Sequence, residues 1–134
     1  MKLNVQLVFA IGLGVLLVGP AFAHHSFMTE YDLSKAVTVN GIVTKIEYVN
    51  PHVNFYIEST DAAGRVTNWR FEAGSLTAVK ANGWTRDAIK TGDNIRIEAF
   101  RAKNGSPFGA ARSITLPNGK LLPVAGDGVP PLSK

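Results

Sequence analysis

Three histidines are the whole imidazole supply of this chain: His24, His25 and His52. Two are adjacent and lie just past a long apolar N-terminal run; the third follows Asn50-Pro51 in the body of the sequence. If the chain is cut before His24, one residue carries both a free α-amine and an imidazole, and the two can chelate a metal through the amine nitrogen and Nδ1. A second imidazole completes a three-nitrogen, roughly T-shaped set, which suits copper(II); zinc is the second choice of metal. His25 offers another chelate, built from the α-amine, the first amide and its own ring. An α-amine ionises at about 8 and a histidine at about 6.5, so near neutral pH both yield their protons to a metal at modest cost, and binding weakens in acid. The expected ligands are therefore His24, His25 and His52, with copper as the favoured ion. The competing reading of the same residues is a solvated His-His end and a strand histidine that bonds a backbone carbonyl.

Around these residues, Glu30, Asp32 and Glu47 are candidate carboxylate partners for the rings, and Met28 is a candidate soft ligand. As surface acids and a core gap-filler they need no role. Trp69, Phe71 and Trp84 read as packing residues, and Arg70, Arg86, Arg96 and Arg101 sit in ordinary solvent-facing phases. Ser26 and Ser75 have no acid–base partners, so no nucleophilic triad is present, and no phosphate-cradling glycine loop appears. The chemistry is that of a binding protein more than of an enzyme. A copper oxidase built on the same nitrogens would need a substrate surface for which the sequence shows no sign.

The segment that would create the α-amine is residues 1–23. Lys2 provides a positive start, Val5 to Val18 is apolar apart from Gln6 and glycines, Gly19-Pro20 breaks a helix, and Ala21-Phe22-Ala23 presents small residues where a signal peptidase reads them. That is the pattern of a secretory signal, cleaved between Ala23 and His24. The run is shorter than the roughly 20 apolar residues of a spanning helix, so no membrane anchor is expected after cleavage. The expected location is the periplasm or the exterior. Lys2 leaves with the signal, which takes the 14 basic residues of the chain to 13 against 10 acidic ones. These are scattered rather than blocked, which argues against a nucleic-acid partner. There is no cysteine, so neither disulfides nor thiolate zinc sites contribute.

The elements that must position His52 follow from hydrophobic periodicity. Residues 24–35 show no period and read as an N-terminal arm, pinned by Phe27 and Tyr31. Val37 to Tyr48 is a long β-rich run in which Gly41 signals a bulge or bend. His52 to Ile57 alternates with period two, Asp61 to Gly64 is a hairpin loop, and Val66 to Glu72 is a third strand. Ser75 caps a short helix over 76–81 that Asn82-Gly83 ends. Asn94 to Arg101 alternates again, 103–109 reads as a loop, and Pro117-Asn118-Gly119 is the turn of a last hairpin. The domain over 36–125 is thus all-β with one short helix, in the order β-β-β-α-β-β. That order predicts a small five-stranded OB-like barrel, with an open antiparallel sheet carrying one helix as the alternative. Residues 126–134, rich in Gly and Pro, read as a flexible tail.

Taken together, His24-His25-Ser26-Phe27 after the leader, Asp32, Gly41-Ile42-Val43, Asn50-Pro51-His52, Gly83-Trp84-Thr85-Arg86 and Lys90-Thr91-Gly92-Asp93 resemble a family of small exported bacterial proteins classed as a domain of unknown function. The resemblance spans most of the chain after the leader. It implies a single exported domain and carries no activity with it. His24, His25 and His52 match the family's pattern, without a ligand role attached. Two functions follow. One is an exported metal-binding protein using the three histidines, whose expected partner is a metal donor or acceptor protein of the periplasm. The other is a metal-free OB-like module that binds a peptide, a glycan or a protein.

Overall fold

The structure is a computed structural model and describes residues 29–130. The expected leader over 1–23 and its expected cleavage bond, with His24, His25 and Met28, lie outside the described residues. Within them, the strands are β1 (Tyr31–Tyr48), β2 (Val53–Thr60), β3 (Val66–Glu72), β4 (Asn94–Ala102), β5 (Phe108–Thr115) and β6 (Leu121–Pro123), with one helix, α1 (Leu76–Ala81), between β3 and β4. Among the described residues no helix is long and apolar enough to cross a membrane.

The 18 residues of β1 serve two partners. Its first part pairs antiparallel with β4, through registers such as Val37↔Ala99 and Val39↔Ile97. From Ile42 it pairs with β2, and the register slips between Val43 and Lys45. The expected bulge thus falls three residues beyond Gly41, with Thr44 as the extra residue, its hydroxyl donating to the Tyr56 carbonyl at 3.1 Å. Gly41 does a different job. A Cβ there would run into the Glu58 carbonyl and lie 2.7 Å from Ile57 Cγ2. Only glycine lets β1 press against β2 where it changes partner.

β2 and β3 form an antiparallel hairpin around 61–64, and β4 and β5 a second antiparallel pair. The pairing that decides the architecture is β3 with β5, parallel, from Arg70↔Phe108 to Glu72↔Ala110. It closes the ring β1-β2-β3-β5-β4-β1, which excludes the open sheet. With α1 inserted between β3 and β4, this is the five-stranded barrel of OB type. β6 is an added strand that pairs only with β5 across the Pro117-Asn118-Gly119 turn. β5 starts at Phe108, so the loop read over 103–109 is shorter than expected. Gly109 and the alanines at 110 and 111 gave no hydrophobic alternation to reveal the strand, because their small side chains serve close strand approach instead.

The interior alternates as a half-buried sheet must. Val53, Phe55 and Ile57 of β2, Phe71 of β3 and Ile97 of β4 are fully enclosed. Val79 of α1, with Trp84 and Ile89 from the turns after it, joins the same cluster, and Trp84 packs on Phe55 with ring centroids 5.2 Å apart. Ser75 caps α1 as expected, its hydroxyl accepting from the Ala78 N–H at 3.2 Å. A second, smaller cluster lies apart from this core: Tyr31, Phe100 and Ala110, with Leu33, Phe108 and Val129 against them. β1 therefore begins inside the segment read as an arm. The first residues of the segment read as a tail also dock, with Arg112 Nε donating to the Pro130 carbonyl at 3.2 Å.

Candidate functional site

His52 stands immediately before β2, where two backbone hydrogen bonds tie strand ends together: Val53 N–H to the Gly74 carbonyl at 3.1 Å and Ala73 N–H to the Val53 carbonyl at 2.8 Å. In the β2–β3 register Asn54 faces Glu72 and Tyr56 faces Arg70. His52 is two residues before Asn54, so it shares Asn54's face and is the diagonal neighbour of Glu72. The result is a direct contact, His52 Nδ1 to Glu72 Oε1 at 2.6 Å, with the imidazole 41% and the carboxylate 24% exposed. An ionised carboxylate can only accept. A neutral ring that donates in this contact does so from Nδ1.

The other oxygen of Glu72 is taken as well. Tyr31 donates its hydroxyl to Glu72 Oε2 at 3.2 Å from a position only 3% exposed, its ring tilted on Phe108 at 5.3 Å. Burial, and after it the charge of Glu72, pushes the Tyr31 phenol far above its ordinary range. It stays a neutral donor at every physiological pH.

The backbone of His52 is held from the same side. Asn54, 6% exposed, donates from Nδ2 to the His52 carbonyl at 3.4 Å and accepts at Oδ1 from Arg70 Nε at 3.1 Å. The Arg70 guanidinium in turn lies over the Phe108 ring at 4.7 Å. Ring and carbonyl of His52 are both engaged, and the groups engaging them are locked in their turn. Support of this kind, with one ring nitrogen anchored by a carboxylate, is what a metal-binding histidine needs.

Asp32 and Glu47, two of the acids singled out from sequence, are occupied elsewhere. Asp32 accepts from the Ser34 hydroxyl at 2.6 Å and the Ser34 N–H at 3.0 Å, which lowers its carboxyl, and it pairs with Lys35 at 3.4 Å. Glu47 is bound by Lys45 and by the Tyr56 hydroxyl, which hold its carboxyl low. The Glu30 backbone carbonyl accepts from the Lys103 N–H at 2.9 Å, and its carboxylate charge helps push the Tyr31 phenol up. The carboxylate that partners His52 is Glu72, which sequence reasoning passed over. The signal was present: counting back from the 61–64 hairpin, Thr60↔Val66 leads to Asn54↔Glu72 and hence to His52.

The other candidates remain apart. Trp84 and Phe71 are core residues. Trp69 stacks on Phe71 at 5.5 Å, donates to Ser59 Oγ at 3.2 Å and has Arg101 over its ring at 5.4 Å. A groove of about 350 Å³ beside it is lined by hydroxyls and amides such as Thr38, Asn40, Ser59 and Thr67. Arg86 lies over Tyr48 at 4.9 Å, and Arg96 reaches Glu98 at 3.6 Å. Each guanidinium thus has its own partner. Among the described residues no group of three or more His, Asp or Glu side chains converges.

No curated protein matches the chain. Among solved structures it is similar to the mitochondrial single-stranded DNA-binding protein Rim1 of S. cerevisiae, at a TM-score of 0.47 and 12% identity, over 62% of this chain and 94% of that one. In sequence, a family of unknown function, DUF6152, matches residues 14–111, from within the apolar N-terminal run to the middle of β5. That span is most of the chain, and the protein belongs to this family.

Proposed function

We propose that the protein is exported, cleaved after Ala23, and that the resulting domain binds one copper(II) ion through His24, His25 and His52. The observation that carries this reading is where the arm begins. Tyr31 is bonded to the same carboxylate that holds His52, so the segment leading to the two N-terminal histidines starts one carboxylate away from the third. His25 is six residues from Tyr31. Thr29 and Glu30 are helical; the stretch from His25 to Thr29, if extended, would span about 13 Å, enough to return across a tyrosine side chain and a carboxylate. His52 itself has the form of a ligand, with Nδ1 occupied and Nε2 carrying its lone pair. The donor set is all nitrogen and contains a chelate, which favours copper over zinc. Holding or delivering copper in the periplasm fits a small domain without a nucleophile, and a donor or acceptor protein would be its partner.

The test uses exported, untagged protein. Its intact mass should correspond to a chain starting at His24, and it should bind one copper(II) per molecule. His52→Ala should weaken binding by about tenfold or more, and a form extended by Met before His24 should bind far more weakly. Equal affinity of the extended form would remove the α-amine from the ligand set. No copper bound by the properly cleaved protein would end the metal reading and leave the metal-free module.

A further inference from the structure

The two oxygens of Glu72 reach two different parts of the chain. Oε1 takes Nδ1 of His52, which stands before β2, and Oε2 takes the hydroxyl of Tyr31, the first residue of β1. The carboxylate is three-quarters buried, in the last position of β3, where the parallel seam with β5 pairs it with Ala110. Its backbone is therefore fixed by strands on both sides, β2 and β5. A group held this firmly can select between states of a softer neighbour. For a histidine the states are two tautomers. A solvated neutral imidazole favours the proton on Nε2, the nitrogen that a ligand role at that atom requires to be bare. A carboxylate accepting at Nδ1 reverses the preference.

We infer that Glu72 is a positioning residue: it holds metal-free His52 in the Nδ1-protonated form with Nε2 bare, and so prepares the site before any ion arrives. Its second bond, to Tyr31, ties the root of the N-terminal arm to the same carboxylate. Glu72 need not touch the ion to do this. Asn54 and Arg70 complete the arrangement by fixing the His52 carbonyl. The consequence for copper rests on the function proposed above; the tautomer does not.

The experiment reads the two separately. Nitrogen NMR of the ¹⁵N-labelled, metal-free exported protein, at a pH where His52 is neutral, reports which ring nitrogen carries the proton. The wild type should show it on Nδ1. Glu72→Ala should move it to Nε2. Glu72→Gln should also move it to Nε2, because the amide oxygen accepts from the buried Tyr31 hydroxyl and its NH₂ then donates to Nδ1. In copper titrations Glu72→Ala should lose about 10–100-fold in affinity, with no further loss when added to His52→Ala, and Glu72→Gln should lose a comparable amount. Backbone NMR spectra of the three proteins show whether the barrel is intact, and Glu72→Gln keeps the comparison available if the alanine variant unfolds. A wild-type proton on Nε2 would overturn the inference whatever copper does. So would an equal copper loss from Glu72→Ala with and without His52. The expected tautomers in a protein that binds no copper would uphold the positioning role and sink the metal reading alone.

Discussion

At the scale of single residues, the surface carboxylates and the site carboxylate behave differently. Asp32, Glu47 and Asp61 are each held below their ordinary range, by Ser34, by Lys45 and Tyr56, and by Arg65 together with Ala63. A depressed carboxylate adds stability that is complete above its unfolded value, near 4, and is lost as pH falls through the folded value. All three are open to solvent, so the contributions are modest and screened by salt. The melting temperature should hold steady from pH 7 to about 5 and fall below about 4, with a shallower fall in high salt. Calorimetry at two salt concentrations checks this; a pH profile unaffected by salt would mean these exposed pairs contribute nothing. Glu72 belongs to another class. Its partners are a buried phenol and an imidazole, and its work is orientation.

At the scale of elements, β1 carries the architecture. It must leave β4 and join β2 within a few residues, and Gly41 sits at that exchange, packed on the Glu58 carbonyl and Ile57. The obstruction at Glu58 is backbone and cannot rotate away. Gly41→Val should therefore cost about 1–3 kcal/mol, read from urea denaturation, with amide protection lost first along Val39–Val43. A neutral outcome would show that β1 can move off β2 at this point. The strand pattern itself was legible. β3 occupies 66–72 as expected, and α1 its six residues, because alternation, a Ser cap and an Asn-Gly stop are local signals. The displaced bulge and the early start of β5 were not legible. A bulge is fixed by which partner each half of a strand finds, and a strand of Gly and Ala is recognisable only from what packs against it. Likewise His52 stood out by type alone, while Glu72 needed the hairpin register to become its neighbour.

At the scale of the whole molecule, both ends of the described chain come to the same outer face of the barrel. Tyr31 and Leu33 from one end and Val129 from the other enclose Phe100, Phe108 and Ala110. Val129 N–H also bonds the Gly126 carbonyl at 3.2 Å, and Gly74 and Gly126 meet with almost no space between them. The C-terminal segment is thus a brace for the root of the arm. Ending the chain at Ala125 should lower stability by about 1–2 kcal/mol, the burial of one aliphatic side chain, and should speed protease cutting before Tyr31. Unchanged melting and cutting would show that the brace is superficial.

By itself the sequence determined the residue chemistry available: three imidazoles, no thiol, a leader pattern whose cleavage would expose an α-amine, and the period and punctuation of each strand. These are local properties, set by side-chain type and by spacing of a few residues. The tertiary structure decided closure through the parallel β3–β5 seam, and the joining of Tyr31, His52 and Glu72 in one hydrogen-bonded unit. Positions 31, 52 and 72 share no local pattern. Ring closure through β4 and β5 brings Tyr31 to Glu72, the β2–β3 register brings His52 to the same carboxylate, and burial of the barrel interior holds the strands there.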